Sequence, residues 1–361
     1  MLNLLSRGLR TSKTAKRSAS TFAAAKLKEL GKPMEITEVK APKKLEKEQV
    51  RIKVNFCSVN ASDVLLTQGQ NPGNFKLPIT PGYEVAGTVL ESQSPDFLKG
   101  DRVVALNKDQ LGGFAEECVA HSTDVWAVPP NVPLDLSAAL ADSFGTAMLG
   151  LVRRGHLSEN QIVLTTMAST HGYASVDLAA QVFKAKVIAV CTSEAESEKL
   201  RERGAWNALV YNEKLLLSTV KELTNGQGVD VIYDTLAGDA LATCLKCVKH
   251  EGHVVVAGYT LKELPQIQIS QLLTLPSFNI SGVSLTSYRR HAPEVYRQAV
   301  SDALEMKEQG LISPKIAAKF PLEQVNKALE FIRETEPVGK VVLDMTQKKE
   351  TKEKKEEVDK T

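Results

Sequence analysis

The 361 residues exceed the usual size of a single hydrophobic core, so two domains are expected. A hydrophobic content of 43% and a charged content of 24% are ordinary for a globular protein, and the formal charge of +2 predicts no nucleic-acid-binding face. No apolar run approaches the roughly 20 residues of a membrane span, and five scattered cysteines argue against a disulfide framework.

The chain begins with a basic segment that contains no acid. Residues 1–21 include five Lys or Arg, and the first acidic residue is Glu29. Leu2, Leu5 and Leu9 fall on one helical face, which is the composition of a mitochondrial transit peptide. We therefore predict import into the mitochondrial matrix and removal of this segment. A disordered basic tail is the alternative.

The next part of the chain predicts short strands with irregular connections. These strands are Gln49–Asn55, Tyr83–Leu90, Arg102–Leu106 and Gly113–Ala120. No long helix is predicted before Ser137, so this part is expected to form a compact β-rich domain.

From Ser137 the pattern changes to alternating helices and strands, after a helical stretch over Ala138–Arg154. The predicted strands are Gln161–Thr166, Lys186–Cys191, Ala208–Val210, Val229–Asp234, His253–Gly258 and Asn279–Val283. The predicted helices between them are Tyr173–Phe183, Glu194–Arg203, Leu215–Leu223 and Asp239–Val248. This alternation indicates a parallel, doubly wound sheet. The chain is expected to end with helices Pro293–Gln309 and Glu323–Glu334, strand Gly339–Leu343 and a disordered charged tail.

The first strand–helix–strand unit of this sheet has the layout of a dinucleotide-binding site. Its turn is normally rich in glycine, so that the backbone can approach a pyrophosphate at the helix N-terminus. Here only Gly172 remains, preceded by Ser169, Thr170 and His171. Hydroxyls, the helix N-terminus and a histidine charge can still bind phosphate, so these four residues are the predicted pyrophosphate site. Because the other glycines of the turn are absent, the alternative is that this site no longer binds a cofactor.

Five motifs carry a family resemblance. They are Asn60-x-x-Asp63, Pro81-Gly82-Tyr83-Glu84-x-Ala86-Gly87, Gly100-Asp101-Arg102-Val103, Gly113-Phe114-Ala115-Glu116 and Gly339-Lys340-Val341-Val342. With them in this order, the chain resembles the medium-chain dehydrogenase/reductase superfamily, and within it the quinone oxidoreductases, over about residues 24–345. The resemblance implies an α/β protein with a GroES-like β-rich domain and a Rossmann doubly wound parallel sheet. It implies the following division: transit peptide 1–21, GroES-like catalytic domain 22–148, Rossmann dinucleotide-binding domain 149–284, return to the catalytic domain 285–346, charged tail 347–361.

Zinc is not expected. Zinc-dependent members of the superfamily hold the catalytic metal with a Cys where this chain has Asn60 and a His where it has Tyr83. An amide and a phenol are poor zinc ligands beside thiolate and imidazole. The four cysteines of the structural zinc lobe are also absent between Asp101 and His121.

The resemblance implies NADP(H) as cofactor. The positions that match NADP-using relatives are Thr146, Ser193, Tyr211 and Gly258, and Tyr259 completes the predicted set. The second Rossmann strand has no acid immediately at its tip to bind the ribose hydroxyls of NAD, which favours NADP. Four departures from the relatives oppose binding. The turn has Met167, Ser169 and Thr170 in place of small residues and glycine, and Glu196 stands where relatives carry a Lys for the 2′-phosphate. Asn71 replaces a family tyrosine over the active site, and Ser284-Leu285-Thr286 replaces a Tyr-Trp-Gly run.

The resemblance implies hydride transfer from NADPH to a small-molecule quinone or to the β-carbon of an enone. Hydrogen-bond donors must then polarise the substrate carbonyl. Asn60 is the first candidate and Tyr83 the second, whereas Asp63 is expected to order its loop. The alternatives are that Asn60 only caps a turn and that Tyr83 only packs under the sheet.

Two further expectations concern the whole chain. A homodimer is expected, because Asn279–Val283 forms a sheet edge of the kind that family members pair across a two-fold axis. The alternative to catalysis is a cofactor-poor pseudoenzyme of the same fold, with a binding or regulatory role in mitochondria.

Overall fold

The computed structural model describes residues 21–70, 75–167, 170–258, 269–335 and 337–347. Its strands are β1 (Thr21–Lys26), β2 (Glu35–Lys40), β3 (Gln49–Val59), β4 (Glu84–Ser92), β5 (Arg102–Leu106), β6 (Glu117–His121), β7 (Val125–Ala127), β8 (Ile162–Thr166), β9 (Lys186–Cys191), β10 (Asn207–Val210), β11 (Val229–Asp234), β12 (Val248–Val256), β13 (Asn279–Gly282), β14 (Ile316–Pro321) and β15 (Lys340–Asp344). Its α-helices are α1 (Ala61–Thr67), α2 (Leu134–Ala138), α3 (Ala141–Met148), α4 (Thr170–Asp177), α5 (Glu194–Glu202), α6 (Glu213–Leu223), α7 (Gly238–Leu245), α8 (Ile269–Leu272), α9 (Leu285–His291), α10 (Pro293–Glu308) and α11 (Val325–Thr335). Within these ranges no helix is both long and apolar enough to cross a membrane.

The first sheet is largely antiparallel, in the order β14-β15-β3-β4-β5-β7, with β6 also paired to β3. It combines strands from the N-terminal part of the chain with β14 and β15 from its C-terminal part. Ser58 in β3 is opposite Glu84 in β4, and Val59 is opposite Val341 in β15. The carboxyl end of β3 therefore meets the starts of β4 and β15. This corner of the sheet forms one wall of the site described below.

The second sheet is parallel, in the order β10-β9-β8-β11-β12-β13. Numbered from its own first strand this order is 3-2-1-4-5-6, the Rossmann arrangement. The ends of β8 and β11 are tied together where the order reverses. Thr166 Oγ1 donates to Asp234 Oδ1 at 2.8 Å, and Thr235 Oγ1 donates to the Thr166 carbonyl at 2.7 Å. The expected fold class is confirmed: a GroES-like β-rich domain plus a Rossmann sheet.

Helix α3 lies between the two sheets, and its residues 141–147 are all buried. It packs against α4, α9, α10 and β5. Side-chain contacts also join helices α9 and α10 to the segment around β7. The Arg289 guanidinium binds both carboxylate oxygens of Asp124 at 2.5 and 2.6 Å, and the Trp126 indole N–H donates to the Arg297 carbonyl at 3.1 Å. After the Rossmann strands the chain re-enters the first sheet at Ile316.

Several predicted elements have different bounds: β3, for example, continues to Val59 rather than Asn55, and β6 begins at Glu117 rather than Gly113. The helix expected over Ala138–Arg154 is interrupted between α2 and α3, and a π-helical segment, Leu149–Arg154, completes it. The helix expected over Tyr173–Phe183 begins earlier, at Thr170, and its last turn is also π-helical. The strand expected to start at His253 starts at Val248. After Val248 come Lys249, His250, Glu251 and Gly252, where the pairing with β11 is irregular and Glu251 has a φ of +62°. Alternation of apolar residues therefore did not reveal this part of the strand.

Candidate functional site

A cavity of about 310 Å³ lies between the two sheets, at the carboxyl edge of the Rossmann strands. Six of the predicted site residues line it: Asn60, Tyr83, Thr146, Thr170, His171 and Gly258. Apolar side chains that include Val59, Leu65 and Leu285 form much of the remaining wall. The fold therefore brings together the two predicted catalytic residues and four of the predicted cofactor residues.

Asn60 owes its position to the start of α1. It follows β3 directly and is the N-cap residue of the helix. The Asp63 carboxylate accepts the backbone N–H of Asn60 at 2.9 Å through one oxygen and that of Gly82 at 3.2 Å through the other. Asp63 thus joins the loop before α1 to the loop before β4, as expected of it. Burial raises the pKa of Asp63 to about 7.

The Asn60 side chain belongs to a buried charged network. The Lys340 ammonium donates to Asn60 Oδ1 and, at 2.7 Å, to Glu84 Oε2. The Asn60 amide Nδ2 donates to the same Glu84 oxygen at 3.3 Å, and Glu84 Oε1 accepts the backbone N–H of Asp142 at 2.9 Å. Lys340 is 2% exposed and Glu84 is fully buried. Burial raises the pKa of Glu84, and the nearby Lys340 ammonium opposes that shift.

Tyr83 belongs to an adjoining network. Its hydroxyl donates to Asp142 Oδ2 at 2.8 Å and accepts from Ser62 Oγ at 3.2 Å. The Lys108 ammonium binds Asp142 Oδ1 at 2.5 Å and lies 4.8 Å from the centre of the Tyr83 ring. Burial, and then the Asp142 charge, raise the pKa of Tyr83 well above its ordinary value. For Asp142, burial favours protonation, but Lys108 and other nearby cations hold its pKa below the ordinary value.

His171 lies on the Rossmann side of this second network, with Nε2 3.9 Å from Asp142 Oδ2. Burial lowers its pKa to about 4, and the Asp142 carboxylate only partly opposes this. In the unliganded protein His171 is therefore neutral at pH 7. In this state His171 adds no positive charge to the predicted pyrophosphate site, and its charge with a cofactor bound stays a prediction.

Gly172 is placed by packing. A Cβ at this position would lie 2.6 Å from the carbonyl oxygen of Thr166 and 3.1 Å from Met167 Cα, so only glycine lets α4 pack against the end of β8. This is the role of the third glycine in dinucleotide-binding turns. Gly172 lies in the first turn of α4, with Thr170 and His171, rather than in a preceding loop. Ser169 and Tyr259 of the predicted cofactor set, and also Asn71, lie outside the described residues.

Ser193 and Tyr211 are at the same edge of the sheet but do not line the cavity. Ser193 is the N-cap of α5, and its Oγ accepts the backbone N–H of Glu196 at 3.3 Å. The Tyr211 hydroxyl is 3.1 Å from Thr243 Oγ1. Ser193 follows β9 and Tyr211 follows β10, and β8 separates these two strands from the rest of the sheet, which adjoins the cavity. In Rossmann sheets the adenosine half of a dinucleotide lies at this side.

The structure changes one premise about cofactor choice. The tip of β9 has no acid next to it in sequence, but Glu196 folds back onto it. Its Oε2 accepts the backbone N–H of Thr192 at 3.0 Å and the Thr192 hydroxyl at 2.9 Å. A carboxylate therefore does lie at the tip of the second Rossmann strand.

Sequence reasoning missed Asp142, Lys108 and Ser62 as residues of the site, and it quoted Glu84 and Lys340 only as parts of motifs. A signal existed for two of them. Lys340 precedes Val-Val-Leu and Glu84 precedes Val-Ala, so each is a charge at the start of an apolar strand. A buried charge of this kind requires a partner. Which partner it finds depends on strand pairing and was not readable from the sequence.

Comparison with known proteins gives consistent results. Residues 172–305 match the family model "Zinc-binding dehydrogenase", and residues 46–130 match "Alcohol dehydrogenase GroES-like domain". The chain is 37% identical over 334 residues to the quinone oxidoreductase-like protein 2 homolog of Nematostella vectensis, covering 91% of this chain and 90% of that protein. It is 35% identical over 327 residues to quinone oxidoreductase-like protein 2 of Rattus norvegicus, covering 90% and 92%.

Solved structures show the same fold. The quinone oxidoreductase of Pseudomonas syringae matches with a TM-score of 0.81 at 22% identity, covering 90% of this chain and 99% of that chain. The quinone oxidoreductase of Escherichia coli complexed with NADPH matches with a TM-score of 0.79 at 22% identity, covering 90% and 100%.

Proposed function

This chain belongs to the medium-chain dehydrogenase/reductase superfamily, and we propose that it is a zinc-independent, NADP(H)-dependent reductase of quinones or activated enones. Its likeness to quinone oxidoreductase-like proteins supports an oxidoreductase of this family. The observation that carries the proposal is the cavity. There, Asn60 and Tyr83 of the GroES-like domain and Thr146 of α3 line the same cavity as His171 and Gly258 at the Rossmann edge.

The description of one matched family implies zinc, and the residues present do not fit that metal. Asn60 Oδ1 already accepts from an ammonium, and the Tyr83 hydroxyl already donates to Asp142. Neither an amide nor a phenol is a usual zinc ligand. Among the residues that the structure describes, no three His, Cys, Asp or Glu side chains are grouped to hold a metal ion. We therefore assign no step to a metal.

The residues do fit a nicotinamide dinucleotide. Gly172 lets α4 reach the end of β8. Among the described residues, a Cβ at Gly258 would have no neighbour closer than 3.8 Å, so the backbone there leaves room at this edge. Thr170 and His171 would hold the pyrophosphate at the start of α4, and Thr146 and Gly258 would flank the nicotinamide. Bound there, the reduced cofactor supplies the hydride.

The chain's own groups then bind and polarise the acceptor. Asn60 donates an amide hydrogen bond to the substrate carbonyl oxygen, on which negative charge develops as hydride adds. Tyr83 is the second candidate, but its single hydroxyl hydrogen is donated to Asp142, so in this arrangement it lines the cavity and does not donate to the substrate. Val59, Leu65 and Leu285 hold the flat apolar part of a small quinone or enone and exclude water from the reacting atoms.

Two wider properties complete the proposal. The basic, acid-free composition of residues 1–21 supports import into the mitochondrial matrix. Strand β13 is an edge strand of the Rossmann sheet in the described part of the chain. This supports assembly as a homodimer in which the β13 edges of two copies pair.

The test begins with binding. Thermal melting of the full chain at about 1 mM NADPH and, separately, NADH should raise the Tm if either cofactor binds the folded state. NADPH oxidation is then followed with 9,10-phenanthrenequinone and with an α,β-unsaturated aldehyde. Asn60→Leu should lower kcat/KM by about 100-fold and leave the Tm shift by NADPH unchanged. No Tm shift with either cofactor would overturn the proposal in favour of the cofactor-poor scaffold.

A further inference from the structure

Lys340 is a buried cation with an unusual pair of partners. It is the first residue of β15 and is 2% exposed. An ammonium group has donors and no acceptor, so the Asn60 atom that it contacts must be the carbonyl oxygen Oδ1. Lys340 thereby fixes the orientation of the Asn60 amide, because a flipped amide would place its NH₂ group against the Lys340 ammonium.

The fixed orientation has a consequence for the cavity. Asn60 Nδ2 carries two hydrogens, and Glu84 Oε2 accepts one of them at 3.3 Å. The other is available to a ligand, because Asn60 lines the cavity and is 8% exposed. Asn60 therefore presents a hydrogen-bond donor to the cavity and not an acceptor.

The charge of Lys340 also acts on this donor. An ammonium hydrogen bond to Oδ1 draws electron density from the amide, and hydrogen bonds in such a chain strengthen one another. Glu84 neutralises the buried ammonium at 2.7 Å and, through the backbone N–H of Asp142, anchors the network to α3. The amide can thus be polarised without leaving an uncompensated charge in the protein interior.

We propose that Lys340 is a positioning residue, which holds and polarises the Asn60 amide so that its free N–H stabilises the substrate oxyanion. The inference rests on the proposed reduction. When hydride adds to an enone β-carbon or to a quinone, the carbonyl π electrons move onto oxygen, and Asn60 donates to that oxygen while keeping its proton. Lys340 itself touches no substrate.

Charge-balanced double variants test the inference, because removing Lys340 alone would leave Glu84 buried and unpaired. Glu84→Gln with Lys340→Met removes the ion pair and the donor to Asn60. Glu84→Gln with Lys340→Gln restores a neutral donor without the charge. We expect kcat to fall about 10- to 100-fold in the first and less in the second, with the NADPH Kd within about twofold of wild type. Asp135→Asn with Lys319→Met is the matched control, since it removes a 2.7 Å ion pair outside the cavity.

A double-mutant cycle separates positioning from a general structural effect. In an Asn60→Leu background, removing the Lys340–Glu84 pair should change kcat by less than about twofold, because the amide through which the pair acts is gone. If the fold loss in kcat caused by removing the pair is the same with and without Asn60, the inference is overturned. A folded Glu84→Gln/Lys340→Met protein with wild-type kcat would also overturn it.

A second readout does not need turnover. 4-Nitrophenolate presents an oxyanion on a flat ring, and nitrobenzene is its neutral counterpart. Titration should show that wild type binds the phenolate more tightly than both double variants do, with nitrobenzene binding unchanged. Equal phenolate affinity in all three proteins would overturn the inference. If wild type reduces no quinone but the phenolate pattern appears, the proposed function fails while the role of Lys340 stands.

Discussion

Asp63 is a single carboxylate on which the geometry of two loops depends, and its ionisation should be visible in stability. Its folded pKa of about 7 lies above the ordinary 3.8. Between these values the folded state holds a proton that the unfolded chain has released. The contribution of Asp63 to stability is therefore largest at low pH and is lost as pH rises towards 7.

Asp63→Asn removes this pH dependence. We expect urea unfolding of wild type to lose more stability between pH 5 and pH 8 than unfolding of the variant does. The variant should also be about 1 kcal/mol less stable at pH 5, because an amide oxygen cannot accept both backbone N–H groups in the same way. Exposed Asp96→Asn is the control and should follow wild type. Parallel pH curves for wild type and Asp63→Asn would contradict the expectation.

Glu196 is the residue on which cofactor choice depends. Its carboxylate lies on the tip of β9, bound to Thr192, where an NADP 2′-phosphate would approach. Glu196→Lys should strengthen NADPH binding about 10-fold and leave NADH binding nearly unchanged, because only NADPH carries the phosphate. Fluorescence titration with both cofactors measures the difference.

Two variants show whether the effect is local. Glu196→Gln removes the charge but keeps an acceptor for Thr192, so it should give a smaller gain for NADPH. Glu194→Lys makes the same charge change in the first turn of the same helix and should have little effect. If wild type already binds NADPH at micromolar concentration and Glu196→Lys changes nothing, the carboxylate does not oppose the phosphate.

At the scale of elements, helix α4 explains why one glycine survives in an otherwise altered turn. A Cβ at Gly172 would be 2.6 Å from the backbone of β8, a contact that cannot be relieved by moving a side chain. Thr170 and His171, before it, line the cavity, so side chains are accommodated there. Packing requires the last glycine of the motif, whereas the earlier ones serve the cofactor.

Gly172→Ala should therefore destabilise the protein by about 1–3 kcal/mol and weaken both cofactors, since α4 must shift from β8. Gly258→Ala is the matched comparison, because the described residues nearest to a Cβ there would make ordinary contacts, at 3.8 Å from Thr235. It should leave the unfolding free energy within about 0.5 kcal/mol of wild type. Equal stabilities for the two variants in chemical denaturation would show that α4 does not depend on this contact.

At the scale of the whole molecule, β13 is where a second copy is expected to pair. In the described part of the chain it is the last strand of the Rossmann sheet and pairs only with β12. Light scattering at micromolar concentration should report a homodimer, and Asn279→Lys should shift it towards monomer by charge repulsion across the two-fold axis. Asn207→Lys, on β10 at the opposite edge, should leave the dimer intact. A monomeric wild type would contradict the assembly.

Strand β1 limits how far into the chain the predicted transit peptide can be cleaved. Strand β1 begins at Thr21, and Ala23, Ala24 and Ala25 are buried. A cut near residues 18–22 would release the basic segment and leave this buried part of the strand in place. N-terminal sequencing of protein from the mitochondrial matrix should find that start, and an intact Met1 in the matrix would contradict it.

Much of the architecture follows from local patterns in the sequence. Strands Lys186–Cys191 and Val229–Asp234 have the bounds that were predicted for them, because a buried parallel strand is apolar over most of its length. Asn60 and Tyr83 were found through their motifs. Local patterns were less informative where polar residues continue an element, as at the start of β12.

The sequence by itself determined the division into a β-rich part and a parallel sheet, the order of strands and helices along the Rossmann part, and the types of residue available for chemistry. Only the tertiary structure decided which of them meet. Lys340 and Glu84 are 256 positions apart, and Asp142 is 59 positions from Tyr83. Their contacts arise because β3, β4 and β15 pair at one corner and α3 packs against it. Periodicity reports which face of an element is buried, whereas strand register and helix packing decide which buried charges become partners.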